Sequence, residues 1–183
     1  MKIRTFLALE LSQNVSNKLS SHAEMISVND NLQQVRWLSK ENYHLTLAFL
    51  GNVEYSLISS LQLRLEQNLS LNKAVHFRFS EITPFPFSRT PKISAAMLER
   101  SEELMQLQHN TAKCGRAFGI SLERRRFNPH VTIGRLKSRS RKSLAFHPQQ
   151  IFVEGVSEKV VIFQSELAPK GAVYKALGEI SLM

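Results

Sequence analysis

The sequence predicts an α+β fold built on a mainly antiparallel sheet. Strand-like and helix-like stretches follow one another in mixed order, and several strand pairs are joined by short turns. No low-complexity segment or long linker divides the 183 residues, a length that suits one domain or two small lobes sharing one core.

The elements read in order as follows. Ile3 to Leu11 is a strand. Ser12 is placed to cap a helix over 13–27, with Val15, Leu19 and Ile26 near one face. Val35 to Leu38 is a short strand, Ser39 to Asn42 a polar turn, and His44 to Leu50 a strand ended by Gly51. Residues 54–70 form a helix with Leu57, Leu61, Leu65 and Leu69 spaced four apart. Val75 to Ile82 alternates as a strand does, and Thr83 to Pro91, with Pro84, Pro86 and Pro91, is a loop. Lys92 to Leu98 is a strand. Residues 101–118 fit a helix with Leu104, Leu107, Thr111, Cys114 and Phe118 near one stripe, so Cys114 is a small core residue rather than a nucleophile. Val131 to Leu136 is a strand and Ser138 to Ser143 a basic loop. Two last strands, Val156 to Ser165 and Val173 to Ser181, flank a turn around Pro169-Lys170-Gly171.

Composition narrows the function classes. No run approaches the roughly 18 apolar residues that span a bilayer. The apolar run at the N-terminus stops at Glu10 with no small-residue cleavage site, so it reads as a strand and not as a signal peptide. The single cysteine excludes an internal disulfide and fits a reducing cytoplasm. The formal net charge is +9, and ten Lys or Arg against one acid, Glu123, fall between Lys113 and Lys142. Such a field attracts polyanions.

Two tetrapeptides repeat one pattern: His44-Leu45-Thr46-Leu47 and His130-Val131-Thr132-Ile133. Each falls in a predicted strand, where alternate side chains share a face. Each strand therefore turns an imidazole and a hydroxyl to one surface and two apolar side chains to a core. Opening a cyclic phosphodiester needs a base to take a proton from water and an acid to protonate the departing sugar oxygen. Histidine can do either near neutral pH. Two histidines can flank one phosphorus from opposite sides, while two threonine hydroxyls hold the non-bridging oxygens. Arg135, five residues after His130, could add positive charge, although an odd offset on a regular strand turns it to the other face.

A metal site fits poorly, because Asp30 is the one Asp of the chain and no acidic cluster adjoins either motif. No nucleophile-elbow sequence supports a serine triad. His22, His76, His109 and His147 lack the threonine partner and read as surface or structural residues.

The segments Arg4-Thr5-Phe6-Leu7-Ala8-Leu9, Val35-Arg36-Trp37, Glu41 to Gly51 around the first motif, Phe127 to Ile133 around the second, Ser165-Glu166-Leu167 and Gly171 to Tyr174 resemble, over nearly the whole chain, the 2H phosphoesterase superfamily. Within it the likeness is to the bacterial and archaeal RNA 2′,3′-cyclic phosphodiesterases, the 2′-5′ RNA ligase family. The resemblance implies one domain over 1–183 whose two pseudo-symmetric lobes, interleaved in sequence, each bring one motif to a central cleft. It implies hydrolysis of a terminal 2′,3′-cyclic phosphate to a 2′-phosphomonoester with no metal or cofactor. His44 would then be the proton donor and His130 the proton acceptor, with Thr46, Thr132 and, less directly, Arg135 on the phosphate. The residues alone leave open which histidine is acid and which base. In one departure from the family this chain has the small run Ser94-Ala95-Ala96-Met97 after the proline-rich loop. Phe85 and Phe87 could supply stacking surfaces there, but core packing is the role expected of both.

The partners expected are RNA 3′ ends or cyclic nucleotides, with no membrane and a monomer as the default. Joining RNA ends through a 2′-5′ link would be a side activity, because water is in vast excess. The alternative is a non-catalytic RNA-binding module using the basic surface from Arg124 to Lys142, whose affinity would fall steeply with salt.

Overall fold

The alternating stretches line up in one sheet, all pairs antiparallel, with the order β7-β4-β5-β6-β3-β1-β8-β9 and β2 paired to β6. The strands are β1 Lys2–Glu10, β2 Val35–Trp37, β3 His44–Glu54, β4 Val75–Phe85, β5 Ile93–Leu98, β6 His130–Leu136, β7 Gln149–Ser157, β8 Lys159–Ala168 and β9 Gly171–Ser181. The helices are α1 Gln13–Val28, α2 Ile58–Leu69 and α3 Glu102–Ala117. The computed structural model describes residues 1–30, 33–88, 90–122, 126–137, 147–168 and 171–183. The predicted basic loop over 138–143, most of the turn at 169–171 and much of the basic run from 124 to 142 lie outside them.

The helices start where their caps dictate. Ser12 Oγ accepts from Val15 N and Ser101 Oγ from Leu104 N, satisfying donors that a helix leaves open. Leu19, Leu65, Leu69, Leu104 and Leu107 are fully enclosed and pack with Leu7, Leu45, Val131 and Ile133 into one core. Cys114 belongs to that core. The helices thus cover one face of the sheet, and the other face carries the two motifs. No helix among the described residues is long and apolar enough to cross a membrane.

Several expectations are corrected. Gly51 does not end its strand: β3 runs on to Glu54, and Gly51, at φ +70°, lies where the register with β1 shifts. That is the left-handed conformation that suits glycine in a bulge. The first turn of the helix over 54–70 is a separate 3₁₀ turn, Tyr55–Leu57, so Leu57 is exposed and Ile58 takes the buried position. Residues 83–85 continue β4 rather than forming loop. The pairing with β7 stops at Ile82, so among the described residues this stretch has β5 as its one strand neighbour, where Pro84 removes no needed donor. The expected strand from Val156 is two strands, β7 ending at Ser157 and β8 starting at Lys159.

Gly134 fixes β2 against β6. A Cβ there would lie 2.5 Å from Val35 Cγ1 and 3.3 Å from the Trp37 ring. Gly134→Ala should destabilise the fold by about 1–3 kcal/mol, because crowding of this kind forces side chains and backbone apart. A lower denaturant midpoint at unchanged slope checks it, and a midpoint equal to the wild type would refute the close fit.

Candidate active site

The two motif strands meet at one antiparallel bridge, Leu45 opposite Val131. One residue to either side, His44 comes toward Thr132 and Thr46 toward His130. The two histidines are then diagonal neighbours, a relation that spaces Cα atoms by about 7–8 Å. That gap suits a phosphate flanked by two imidazoles.

The strands match beyond the tetrapeptide. Over seven residues His44–Leu50 and His130–Leu136 have one burial pattern, in which the second, fourth, fifth and seventh positions are buried. The consecutive buried pair, Leu47-Ala48 in one strand and Ile133-Gly134 in the other, coincides with a register shift against the outer neighbour. The shift reverses the alternation, so Phe49 and Arg135 emerge on the face of the histidines. The odd offset of Arg135 therefore does not turn it away. Its charge acts on His44, which places it near that imidazole.

Each imidazole is held the same way. His44 Nδ1 lies 2.9 Å from the Asn42 carbonyl oxygen and His130 Nδ1 lies 2.7 Å from that of Asn128. A carbonyl can only accept, so each Nδ1 carries hydrogen and each neutral ring keeps its lone pair on Nε2. Asn stands two residues before both histidines, a signal in the sequence that extends the repeat to Asn-x-His-x-Thr.

Burial pushes the His44 imidazole down to about 4; the Asn42 hydrogen bond opposes this, while His130 and Arg135 add to it. Burial also lowers His130, against its bond to Asn128. Both rings are therefore neutral at pH 7 in the free protein. Glu10, opposite His44 in register, is exposed and its charge acts on Lys159. Thr46 and Thr132 are half-buried, and among the described residues neither hydroxyl has a hydrogen-bond partner. Among the described residues no group of three or more His, Cys, Asp or Glu gathers as a metal site would require.

Aromatic rings frame both histidines. Phe6 and Tyr174 lie 4.8 Å and 4.9 Å from the His44 ring, and Phe163 stacks on Phe6 at 5.3 Å. They come from β1, β8 and β9, far apart in sequence, so only the strand pairing brings them together. On the other side Phe85 is tilted 4.7 Å from His130, and Phe87 meets it edge-on at 5.4 Å. Neither Phe85 nor Phe87 joins the core, contrary to the packing role weighed for them. The basic run is also split: Lys113 and Arg116 lie on α3, behind the sheet, while Arg135 and Lys137 belong to the side of β6. His22 and His147 line a separate hollow with α1 and β7 residues.

A family model described as the 2′-5′ RNA ligase superfamily matches residues 28–149. The RNA 2′,3′-cyclic phosphodiesterase of Thermotoga maritima is 29% identical over 97% of this chain and 94% of its own. The protein of that name from Methanocaldococcus jannaschii is 24% identical over 97% of this chain and 99% of its own. Among solved structures, TT0787 of Thermus thermophilus superposes with a TM-score of 0.81 at 26% identity, covering 98% of both chains. E. coli LigT complexed with 3′-AMP superposes at 0.82 with 20% identity, covering 100% of this chain and 99% of that one, a likeness of fold.

Proposed function

Because this chain belongs to the 2′-5′ RNA ligase superfamily, we propose that it is an RNA 2′,3′-cyclic phosphodiesterase that opens terminal cyclic phosphates to 2′-phosphomonoesters. The observation that carries the reading is the pair of matched strands: two imidazoles and two unpartnered hydroxyls on one face, joined at Leu45 and Val131.

The reaction uses these groups as follows. His130 Nε2 takes a proton from water as the water oxygen bonds to phosphorus. The bond from phosphorus to O3′ breaks, and His44 gives O3′ its proton from Nε2. Thr46 and Thr132 donate to the non-bridging oxygens, and Arg135 offsets the charge that grows there. The product keeps its phosphate on O2′ and gains a 3′ hydroxyl, and one water is consumed. No metal is needed in this scheme, since two general acid–base groups move both protons. The matched halves of the strand order, β3-β1-β8-β9 and β6-β5-β4-β7, support one domain of two interleaved lobes. A monomer acting in the cytoplasm completes the reading.

The test is incubation with chelator and an RNA oligonucleotide ending in a 2′,3′-cyclic phosphate. A product heavier by one water, with a phosphatase-sensitive phosphate on O2′, is the expected result. An unchanged cyclic end under these conditions would overturn the reading.

A further inference from the structure

Arg36 of β2 lies directly opposite Arg135 of β6. Antiparallel partners project from the same face of a sheet, and like charges so placed repel. Neighbouring strands are about 4.8 Å apart, so the two side chains leave the sheet side by side. Both side chains are exposed, and neither takes part in an ion pair among the described residues. The fold gains nothing from this juxtaposition. Anionic groups bound at the two guanidinium groups would offset the repulsion.

The two arginines do not address the same anion. Arg135 is near His44, where the reacting phosphate belongs. Arg36 is on β2, which pairs with β6 on the edge opposite β5, the edge that β3 meets at Val131. A Cβ added to Gly171, at the start of β9, would lie 3.9 Å from Arg36 Nη2, so this guanidinium reaches toward the β8–β9 hairpin at the edge of the site. With Trp37 and Lys137 it lines a hollow of about 300 Å³. Asp30 is the acid in that lining, and its carboxylate accepts from Gln34 N at 2.8 Å and Val35 N at 2.9 Å. Its charge is thereby engaged with the backbone that carries Arg36.

We infer that Arg36 holds the phosphodiester immediately upstream of the terminal cyclic phosphate, so that the site selects the end of an RNA strand over a free nucleoside 2′,3′-cyclic phosphate. A free cyclic nucleotide has one phosphate and can satisfy Arg135 alone; a strand end supplies a second, the next phosphodiester of the chain. The planar fork of arginine suits such a bridging phosphate. This inference rests on the cyclic-phosphate reading.

The test compares a nucleoside 2′,3′-cyclic phosphate with a short oligonucleotide ending in the same cyclic nucleotide, for the wild type, Arg36→Ala and Arg36→Lys. The wild type should prefer the oligonucleotide in kcat/KM. Arg36→Ala should lower that preference about tenfold, the scale of one charge-assisted hydrogen-bonded contact. It should also lower the salt slope of oligonucleotide KM by about one. Arg36→Lys should restore the slope more than the preference, since it keeps charge but not the fork. Each variant is its own folding control, because both substrates are read on one preparation. An unchanged preference in Arg36→Ala with both substrates cleaved would overturn the role of Arg36 alone. Cleavage of neither substrate by the wild type would overturn the underlying reading as well.

Discussion

His44→Ala and His130→Ala should each lower kcat on an RNA 2′,3′-cyclic phosphate by about 10²–10⁴-fold, the usual contribution of a positioned acid or base. Both rings are pre-set for the task. The carbonyls of Asn42 and Asn128 hold each Nδ1, so each Nε2 is committed to the open face before substrate arrives. Truncation removes that nitrogen, and nothing among the neighbours replaces it. The Phe6 and Phe85 rings have no ionisable group, and the threonine hydroxyls are far too weak as acids or bases. The double variant should lose little more than the worse single one, because acid and base act in one concerted displacement and their effects do not multiply. Steady-state rates on a cyclic-ended oligonucleotide, with thermal melts beside them, check the result. Both single variants retaining wild-type kcat with native melts would sink the two-histidine mechanism. A collapse of melting along with activity would move these rings from chemistry to packing.

The motif strands were legible because period two is a strong signal and both histidines lead a His-x-Thr run. What was not legible followed from bulges. Arg135 is five residues from His130, and strict alternation turns it away. The consecutive burial of Ile133 and Gly134 brings it back, as Leu47 and Ala48 do for Phe49. A bulge leaves no mark in the period of the sequence before it, so parity arguments fail beyond it. Gly51 looks like a stop in the sequence for the same reason. It has the backbone of a bulge, and the chain continues to pair with β1 beyond it. The strand β7 escaped because Gln149 and Gln150 open it and Gly155 interrupts its alternation. Phe6, Phe163 and Tyr174 could not be grouped without the order of β1, β8 and β9, which depends on pairings distant in sequence.

Between pH 7.5 and 8.5, kcat/KM should fall about tenfold per pH unit. The productive state of the free protein has one proton shared by the two histidines: the donor charged, the acceptor neutral. Burial lowers both below the ordinary histidine value, His44 to about 4. Above both values the singly protonated state thins by a factor of ten for each unit of pH. Below both, the acceptor is protonated too and the rate falls again, so the maximum lies on the acid side of 6.5. The depression is greatest on His44, the group assigned as donor, so in the free protein the first proton favours His130. Productive binding therefore draws on the minority arrangement of that proton. The pair titrates as a unit, and this partition sets the height of the profile without changing its shape. The substrate then shifts the balance. Its phosphate carries a negative charge beside both Nε2 atoms, which favours the imidazolium form. The alkaline limb of kcat, which reports the complex, should lie at higher pH than that of kcat/KM. Profiles of both constants at fixed ionic strength separate these claims. A kcat/KM that is flat from pH 5 to 8 would contradict a catalytic pair kept neutral by burial, whereas coincident limbs for the two constants would mean that the bound phosphate does not recharge it.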